Sequence, residues 1–406
     1  MASIINSDDG VISGTAGLKS TGANDGALNI QTNGTNAITV SSAQTVAING
    51  NNISADNSLG FRNRIINGDM RIDQRNAGAL VNPAIDSAYY LDRWFFRGNI
   101  AGKFSVGQNA GSVTPPTGFT KYLGYTSLSA YSVGAGDFFF TGQIIEGYNI
   151  ADLGFGTASA KTITISFKVY SSLTGTFGGT LRNGANNRYC PFSYTISSAN
   201  TWTTVSVTIA GDTTGTWATD NTAGLYVYFN LGTGSTYSGG TSGTWGSTAY
   251  FTPSGTVSVV GTNAATFYIT GVQLEVGSVA TPFERRDYGR ELIMCQRYYY
   301  KIIPKNANYF TSGFNNSTTV HRGIANFPTS MRTEPTAIEQ TGTAADYGVA
   351  HGGSTVTNLS AVVSSFNASV NSSRISVSVA SGLTQGQASM LIANNDTAFL
   401  AWSAEL

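Results

Sequence analysis

The chain has 406 residues, 41% hydrophobic and only 11% charged, with Lys+Arg and Asp+Glu balanced at 22 each. That length can bury a real core in two or three domains. A charged share under half of the roughly 25% usual for soluble domains leaves Ser, Thr, Asn, Gly and Tyr to cover the surface, and the even balance predicts neither a nucleic-acid partner nor an acidic ligand.

Residues 1–60 carry their apolar side chains in small pairs, Leu28/Ile30, Ile38/Val40 and Val46/Ile48, separated by turn signals such as Asn33-Gly34 and Asn49-Gly50. Each pair reads as a very short strand. So thin an apolar surface does not offset an ordering entropy of about 1–2 kcal/mol per residue. Two readings stay open: a disordered tail, or a segment that orders only against copies of itself or a docking partner. The regular pairing favours the second and makes these six residues the candidates for docking and trimerisation.

Residues 61–98 hold the densest charge. Phe61, Ile65, Ile66, Met70 and Ile72 alternate with Arg62, Arg64, Asp69, Arg71, Asp73 and Arg75, and YYLDRWFF follows at 89–96. The expectation is a pair of strands with Arg–Asp pairs at the joint between the N-terminal segment and the next domain.

From 99 to 280 the pattern is strand after strand. Ile163, Ile165, Phe167 and Val169 alternate with polar residues, as do Val205, Val207 and Ile209, while Leu225, Val227 and Phe229 alternate with Tyr226 and Tyr228. One-sided alternation means sheets with a single buried face, hence a β-sandwich with Greek-key or jelly-roll connections. In the last strand Phe267 and Ile269 share one parity and Val272, Leu274 and Val276 the other. A glycine at that phase slip, Gly271, marks a β-bulge. Thr281-Pro282 ends the strand, and from Asp287 a helix of about two turns can run through Leu292, Ile293 and Cys295/Gln296. Two of Tyr298, Tyr299 and Tyr300 are expected to pack at a domain joint, with Arg297 and Lys301 solvated or stacked. Residues 302–406 repeat the alternation on a smaller scale, as in Ile375, Val377 and Val379, and finish in a strand-like stretch held in a sheet.

The fold class is therefore all-β: an N-terminal short-strand attachment or shaft segment (1–60), a central jelly-roll β-sandwich (61–280), a linker with a short helix (281–301) and a smaller C-terminal β-sandwich tip (302–406). Two cysteines, Cys190 and Cys295, are too few for a disulfide framework and read as small buried residues. Two histidines, His321 and His351, in polar loops, and no C-x-x-C pair nearly exclude a zinc site. No signal-peptide pattern and no bilayer-length apolar run is present, so no membrane insertion is expected. A protein working outside cells would then leave by lysis of an infected cell.

The segments NRIINGDMRIDQRN (63–76), YYLDRWFF (89–96), VQLEVGSVATPFERRDYGRELIMCQRYYYK (272–301), FPTSMRTEPT (327–336) and SAEL (403–406) resemble tail-fibre and related appendage proteins of tailed bacteriophages. Residues 17–40 resemble the part such proteins use near the virion. The resemblance implies a homotrimer docked to other virion proteins through residues 1–60, a carbohydrate-binding-like middle domain, and recognition of host-surface glycan. Related jelly rolls often hold a structural calcium through acidic residues before the valine of the last strand. Here Thr270 and Gly271 stand there, so no metal and no cofactor are expected.

Sugar recognition wants flat aromatic faces beside neutral hydrogen-bonding groups. Tyr226 and Tyr228, about 6–7 Å apart on one strand face, are the candidates, flanked by Trp217 and Trp245 in polar loops. The competing reading is packing across strands or against a neighbouring subunit. Hydrolysis would need two carboxyl groups roughly 5–9.5 Å apart. Asp86 with Asp92, or Asp137 with Glu146, are the pairs to weigh. Acids are few, and G-x-S-x-G, Walker and H-E-x-x-H motifs are lacking. The expectation is therefore adhesion by binding, not an enzyme. The alternatives are a purely structural appendage, such as a head fibre or decoration protein, and, third, a polysaccharide depolymerase.

Overall fold

The apolar pairs near the N-terminus fall in consecutive short strands of one sheet. In the computed structural model, which describes residues 17–20, 28–32, 35–40, 46–48, 51–53, 62–81, 88–353, 355–363 and 365–406, these are β1 (Gly17–Ser20), β2 (Leu28–Thr32), β3 (Thr35–Val40), β4 (Val46–Ile48) and β5 (Asn51–Ile53). They pair antiparallel in sequence order. The register lines up Leu28, Val40 and Val46 in one row and Ile30, Ile38 and Ile48 in the next. The other residues of 1–60, expected from the sequence to form an attachment segment, lie outside the described residues.

The central domain is a two-sheet sandwich. One sheet contains β6 (Ala88–Leu91), β7 (Trp94–Gly98), β10 (Phe138–Glu146), β12 (Gly175–Asn183), β13 (Tyr189–Ile196) and β15 (Ala223–Thr233), in the order β13-β12-β15-β10-β7-β6. The other contains β8 (Phe104–Gln108), β9 (Leu123–Ser127), β11 (Ile163–Ser171), β14 (Thr203–Ile209) and β16 (Thr266–Val276), in the order β14-β11-β16-β9-β8. The chain crosses between the sheets at every connection except the hairpins β6–β7, β8–β9 and β12–β13, which is jelly-roll behaviour. Alternation dictates the core: Ile163, Ile165, Phe167 and Val169 of β11 join Leu225, Val227 and Phe229 of β15 in one buried cluster.

The phase slip in β16 is a bulge. Ser166 pairs with Gln273 and Lys168 with Thr270, so Gly271 and Val272 together oppose Phe167. Gly271 takes φ +62°, a left-handed conformation that costs an L side chain about 1–2 kcal/mol. The extra residue restores phase, and Phe267, Ile269, Val272 and Leu274 all reach the same core.

Beyond the sandwich, α1 (Tyr288–Gln296) starts where expected, with the Asp287 side chain accepting from the Arg290 amide at 2.9 Å. Its buried face is Glu291 and Cys295, while Ile293 turns out to 50% exposure. The C-terminal domain pairs a three-stranded sheet with a seven-stranded one. The first has the order β17-β26-β20 (Tyr299–Ile302, Leu400–Ser403, Ile338–Gln340). The second has the order β22-β21-β25-β18-β19-β24-β23 (Thr355–Asn358, Tyr347–His351, Ala388–Ala393, Tyr309–Asn315, Val320–Asn326, Ser372–Ser378, Ser365–Ala368). Trp402, Tyr347, Leu391, Ile375 and Met331 anchor its core. β17 begins at Tyr299, inside the stretch read as linker.

Three readings of the sequence need correction. The pair of strands expected in 61–98 is the β6–β7 hairpin, whereas residues 62–81 form only a single bridge at Val81, their Ile65, Ile66 and Asn67 amides going to the Asn63, Gln143 and Glu291 side chains. Their charges also serve a different joint. Arg75 and Arg93 converge on Glu405, Arg75 lies 3.7 Å from the Tyr299 ring and Arg93 3.5 Å from that of Tyr298, tying the sandwich to the C-terminal domain. Arg297 is neither solvated nor stacked but grips Glu146 at 2.5 and 3.0 Å, whereas Lys301 is stacked as expected, 4.2 Å from the Phe399 ring, and donates to the Arg75 carbonyl at 2.8 Å. Finally, His321 and His351 sit in strands β19 and β21, not in loops, and His321 is fully buried.

Candidate ligand-binding groove

The four aromatic candidates form two separate pairs. Tyr226 and Tyr228 do share the outer face of β15, 5.6 Å apart. Tyr228, however, is 1% exposed, stacked on Phe140 at 4.3 Å and edge-on to Phe95 at 5.8 Å. The connection between β15 and β16 folds back over this face, laying Phe251 against Phe140 and Tyr228 and stacking Tyr237 on Phe251 at 4.8 Å. Arg182 covers Tyr226 at 3.6 Å. The outer face of the six-stranded sheet is thus plugged there by the protein itself.

Trp217 and Trp245 meet edge to face at 5.4 Å, both against Phe155, and donate their indole N–H groups to the Thr214 and Ala210 carbonyls. Among the described residues no ring contact joins this pair to the tyrosines. Trp245 lines a recess of about 120 Å³, well below the roughly 300–1,000 Å³ of ordinary ligand sites.

An open groove lies on the other sheet. Its floor is the outer face of β11 and β14, presenting Ser166, Lys168, Thr204 and Ser206 beside the bulge at Gly271, and its wall is Phe119, Pro282, Phe283 and Arg285, enclosing about 480 Å³. Phe119 and Phe283 meet edge to face at 5.3 Å, with Arg285 4.8 Å from the Phe119 ring.

Local chemistry builds both walls. A turn closed by the Phe119 amide on the Pro116 carbonyl at 2.9 Å brings Phe119 over Gly271. A Cβ on Gly271 would stand 2.7 Å from Phe119 Cζ, so the glycine is what admits the ring. The strap carrying Phe283 is pinned to β16 by buried polar side chains. Glu275 accepts from the Thr281 amide at 2.9 Å and its hydroxyl at 2.6 Å, and Gln273 accepts from the Glu284 amide at 2.7 Å. Glu275 and Gln273 are themselves linked at 2.7 Å. Further along the same face, Tyr122, Tyr268 and Tyr170 stack at 5.0 and 5.4 Å, with Trp202 closing the end. The sequence hid this groove because Phe119 and Phe283 sit in connections without periodicity. The one available signal was the glycine at the phase slip.

The acidic pairs do not face a common space. Asp86 lies outside the described residues, and Asp92 is buried, bonded by Gln74 and pushed up to about 7 by desolvation. Asp137 and Glu146 stand at opposite ends of β10, about 30 Å apart along the strand, against roughly 5–9.5 Å for a glycosidase pair. Asp137 is held below the usual carboxylate range by the Tyr131 hydroxyl and the Gly134 amide, and Glu146 is spent on Arg297 and Tyr298. Among the described residues no group of three or more His, Cys, Asp or Glu stands together to hold a metal, Thr270 donates to the Lys121 carbonyl at 2.7 Å, and no helix is long and apolar enough to cross a membrane. Cys190 and Cys295 are buried free thiols.

No protein-family model matches the chain, and no curated protein matches it. Among solved structures, the chain is similar to the enzymatically active domain of tailspike protein 4 from bacteriophage CBA120, at 11% identity and TM-score 0.29, covering 53% of this chain and 22% of that one. It is also similar to a putative sugar-binding protein from Bacteroides thetaiotaomicron (12% identity, TM-score 0.32, 53% of this chain and 100% of that one). A third is the family 11 carbohydrate-binding module of Clostridium thermocellum in complex with a β-1,3-1,4-mixed-linked tetrasaccharide (12%, TM-score 0.25, 49% and 100%). Likenesses this shallow carry no argument about ligand or reaction.

Proposed function

We propose that the chain is a glycan-binding adhesin of a tailed-phage virion, a homotrimeric tail fibre that docks to other virion proteins through residues 1–60 and adheres to the host surface without cutting it. The observation that carries the binding reading is the groove. Two phenyl rings, Phe119 and Phe283, stand beside a row of hydroxyls from Ser166, Thr204 and Ser206. The rings suit the C–H face of a pyranose and the hydroxyls its OH groups. The virion and trimer parts of the reading rest on the sequence resemblance and on the thin apolar rows of the N-terminal sheet.

A single shallow site of this kind binds at about millimolar Kd, near −4 kcal/mol. Three copies acting together on one surface raise that by orders of magnitude where the geometry lets them engage at once. The test is a glycan array probed with the full chain, with Phe119→Ala and Phe283→Ala beside it. The reading expects a bound glycan class that both variants lose while Tyr226→Ala keeps it. A chain that binds no glycan, and does not block phage adsorption, would instead be a structural appendage.

A further inference from the structure

We propose that the groove selects acidic saccharides, with Lys168 and Arg285 receiving a sugar carboxylate; this rests on the glycan-binding reading above. The whole chain is balanced at 22 basic and 22 acidic residues, yet the groove is lined by two cations and no carboxylate. Net charge conceals that local departure.

The partners of these cations are neutral. Lys168 donates to the Thr204 hydroxyl at 2.9 Å, and Arg285 donates to the Gly118 carbonyl. Elsewhere in the protein the buried arginines of the joint, and Arg188 beside the sandwich, are matched to carboxylates. The acids close to the groove in sequence are already committed: Glu275 to Thr281, Gln273 and Arg62, Glu284 to the Asn63 amide and Arg286, and Asp287 to the Arg290 amide as the cap of α1. None of them lines the groove.

Lys168 retains further N–H donors on a rotatable ammonium, and Arg285 retains most of a planar fork whose geometry matches a carboxylate. Arg285 also lies against the Phe119 ring, so a sugar seated on that ring brings its substituents to the guanidinium. Hydroxyls, aromatic faces and unmatched cations together describe a site for a uronic-acid-type residue, its neutral face on the rings and its carboxylate on the cations.

The experiment compares full-length protein on oligosaccharides containing uronic acid and on the same oligosaccharides with the carboxyl reduced to hydroxymethyl. The acidic form should bind about tenfold or more tightly, the worth of a charge-assisted hydrogen bond, and its advantage should shrink as salt rises. Lys168→Gln with Arg285→Gln should erase the difference between the two forms, and Arg290→Gln, on the exposed side of α1, should leave it. Equal binding of the acidic and reduced forms would overturn the proposal while leaving the groove a glycan site. Binding of neither form, with neutral glycans also unbound, would overturn both.

Discussion

Arg75 and Glu405 are 330 positions apart in the chain and meet at 3.1 Å. The other oxygen of the same carboxylate takes Arg93, and the Tyr89 hydroxyl donates to the Leu406 carbonyl at 2.9 Å. The charge-dense segment after residue 61 is therefore a socket. It receives the strand end of the C-terminal domain, with Tyr298 and Tyr299 lying beneath the two guanidinium groups.

Glu405→Gln should cost about 3–5 kcal/mol, because it removes the carboxylate that Arg93 and Arg75 share and leaves Arg93 buried without its ion-pair partner, while Asp92 still stands near Arg75. Urea unfolding at neutral pH reads this as a lower midpoint, with the two domains separating into distinct transitions. A loss under about 1 kcal/mol would show that the socket does not depend on the carboxylate.

His321 gives a pH signature. Its Nδ1 lies 2.7 Å from the Ser389 hydroxyl, which donates onward to Asn315 Oδ1, and its Nε2 is buried without a partner. Burial pushes this histidine down to about 4. The unfolded chain then binds a proton near pH 6.5 that the folded chain refuses. The contribution is fully present above that pH and is lost as pH falls toward 4, by up to about 3 kcal/mol. Asp92, raised to about 7, slopes the other way over the same range. The informative quantity is thus wild type minus His321→Phe across pH 4–7, and a flat difference would contradict the burial argument.

Tyr228 separates packing from recognition. Its hydroxyl is buried without a partner, so Tyr228→Phe should raise stability by about 1 kcal/mol. Tyr228→Ala opens a cavity in the aromatic stack and should cost about 3–5 kcal/mol. Thermal melts of both, with glycan titration of the Phe variant, check this. Weakened sugar binding in a well-folded Tyr228→Phe would return that face to the list of ligand surfaces.

Gly271→Ala joins fold and site. The positive φ costs about 1–2 kcal/mol, and the new Cβ displaces Phe119. A lower Tm together with weaker glycan binding is expected. Unchanged affinity would mean Phe119 takes no part in recognition.

Much of the architecture could be read from residue parity. The Asp287 cap, the Gly271 bulge and the alternation in β11, β14 and β15 each follow from short-range chemistry, as do the apolar pairs near the N-terminus. Parity does not say which outer face a loop will cover. Tyr226 and Tyr228 carry the pattern of a ligand face, and Phe251 and Tyr237, from an aperiodic connection, close it. Phe119 and Phe283 carry no pattern and make the open one. Long-range pairing was equally invisible: nothing near Arg75 in sequence names Glu405, and nothing near His321 distinguishes a buried strand histidine from one in a polar loop.

β26 is the shared middle strand of β17 and β20, so neither of those has a partner in that sheet until β26 is made. During synthesis both wait with unpaired backbone edges, and the socket of Arg75 and Arg93 waits with them. A ribosome that stalls or stops before residue 400 therefore releases a chain with sticky strand edges and two uncapped cations. The last strand to be made is thus the one that joins β17 to β20 and brings Glu405 to the two arginines.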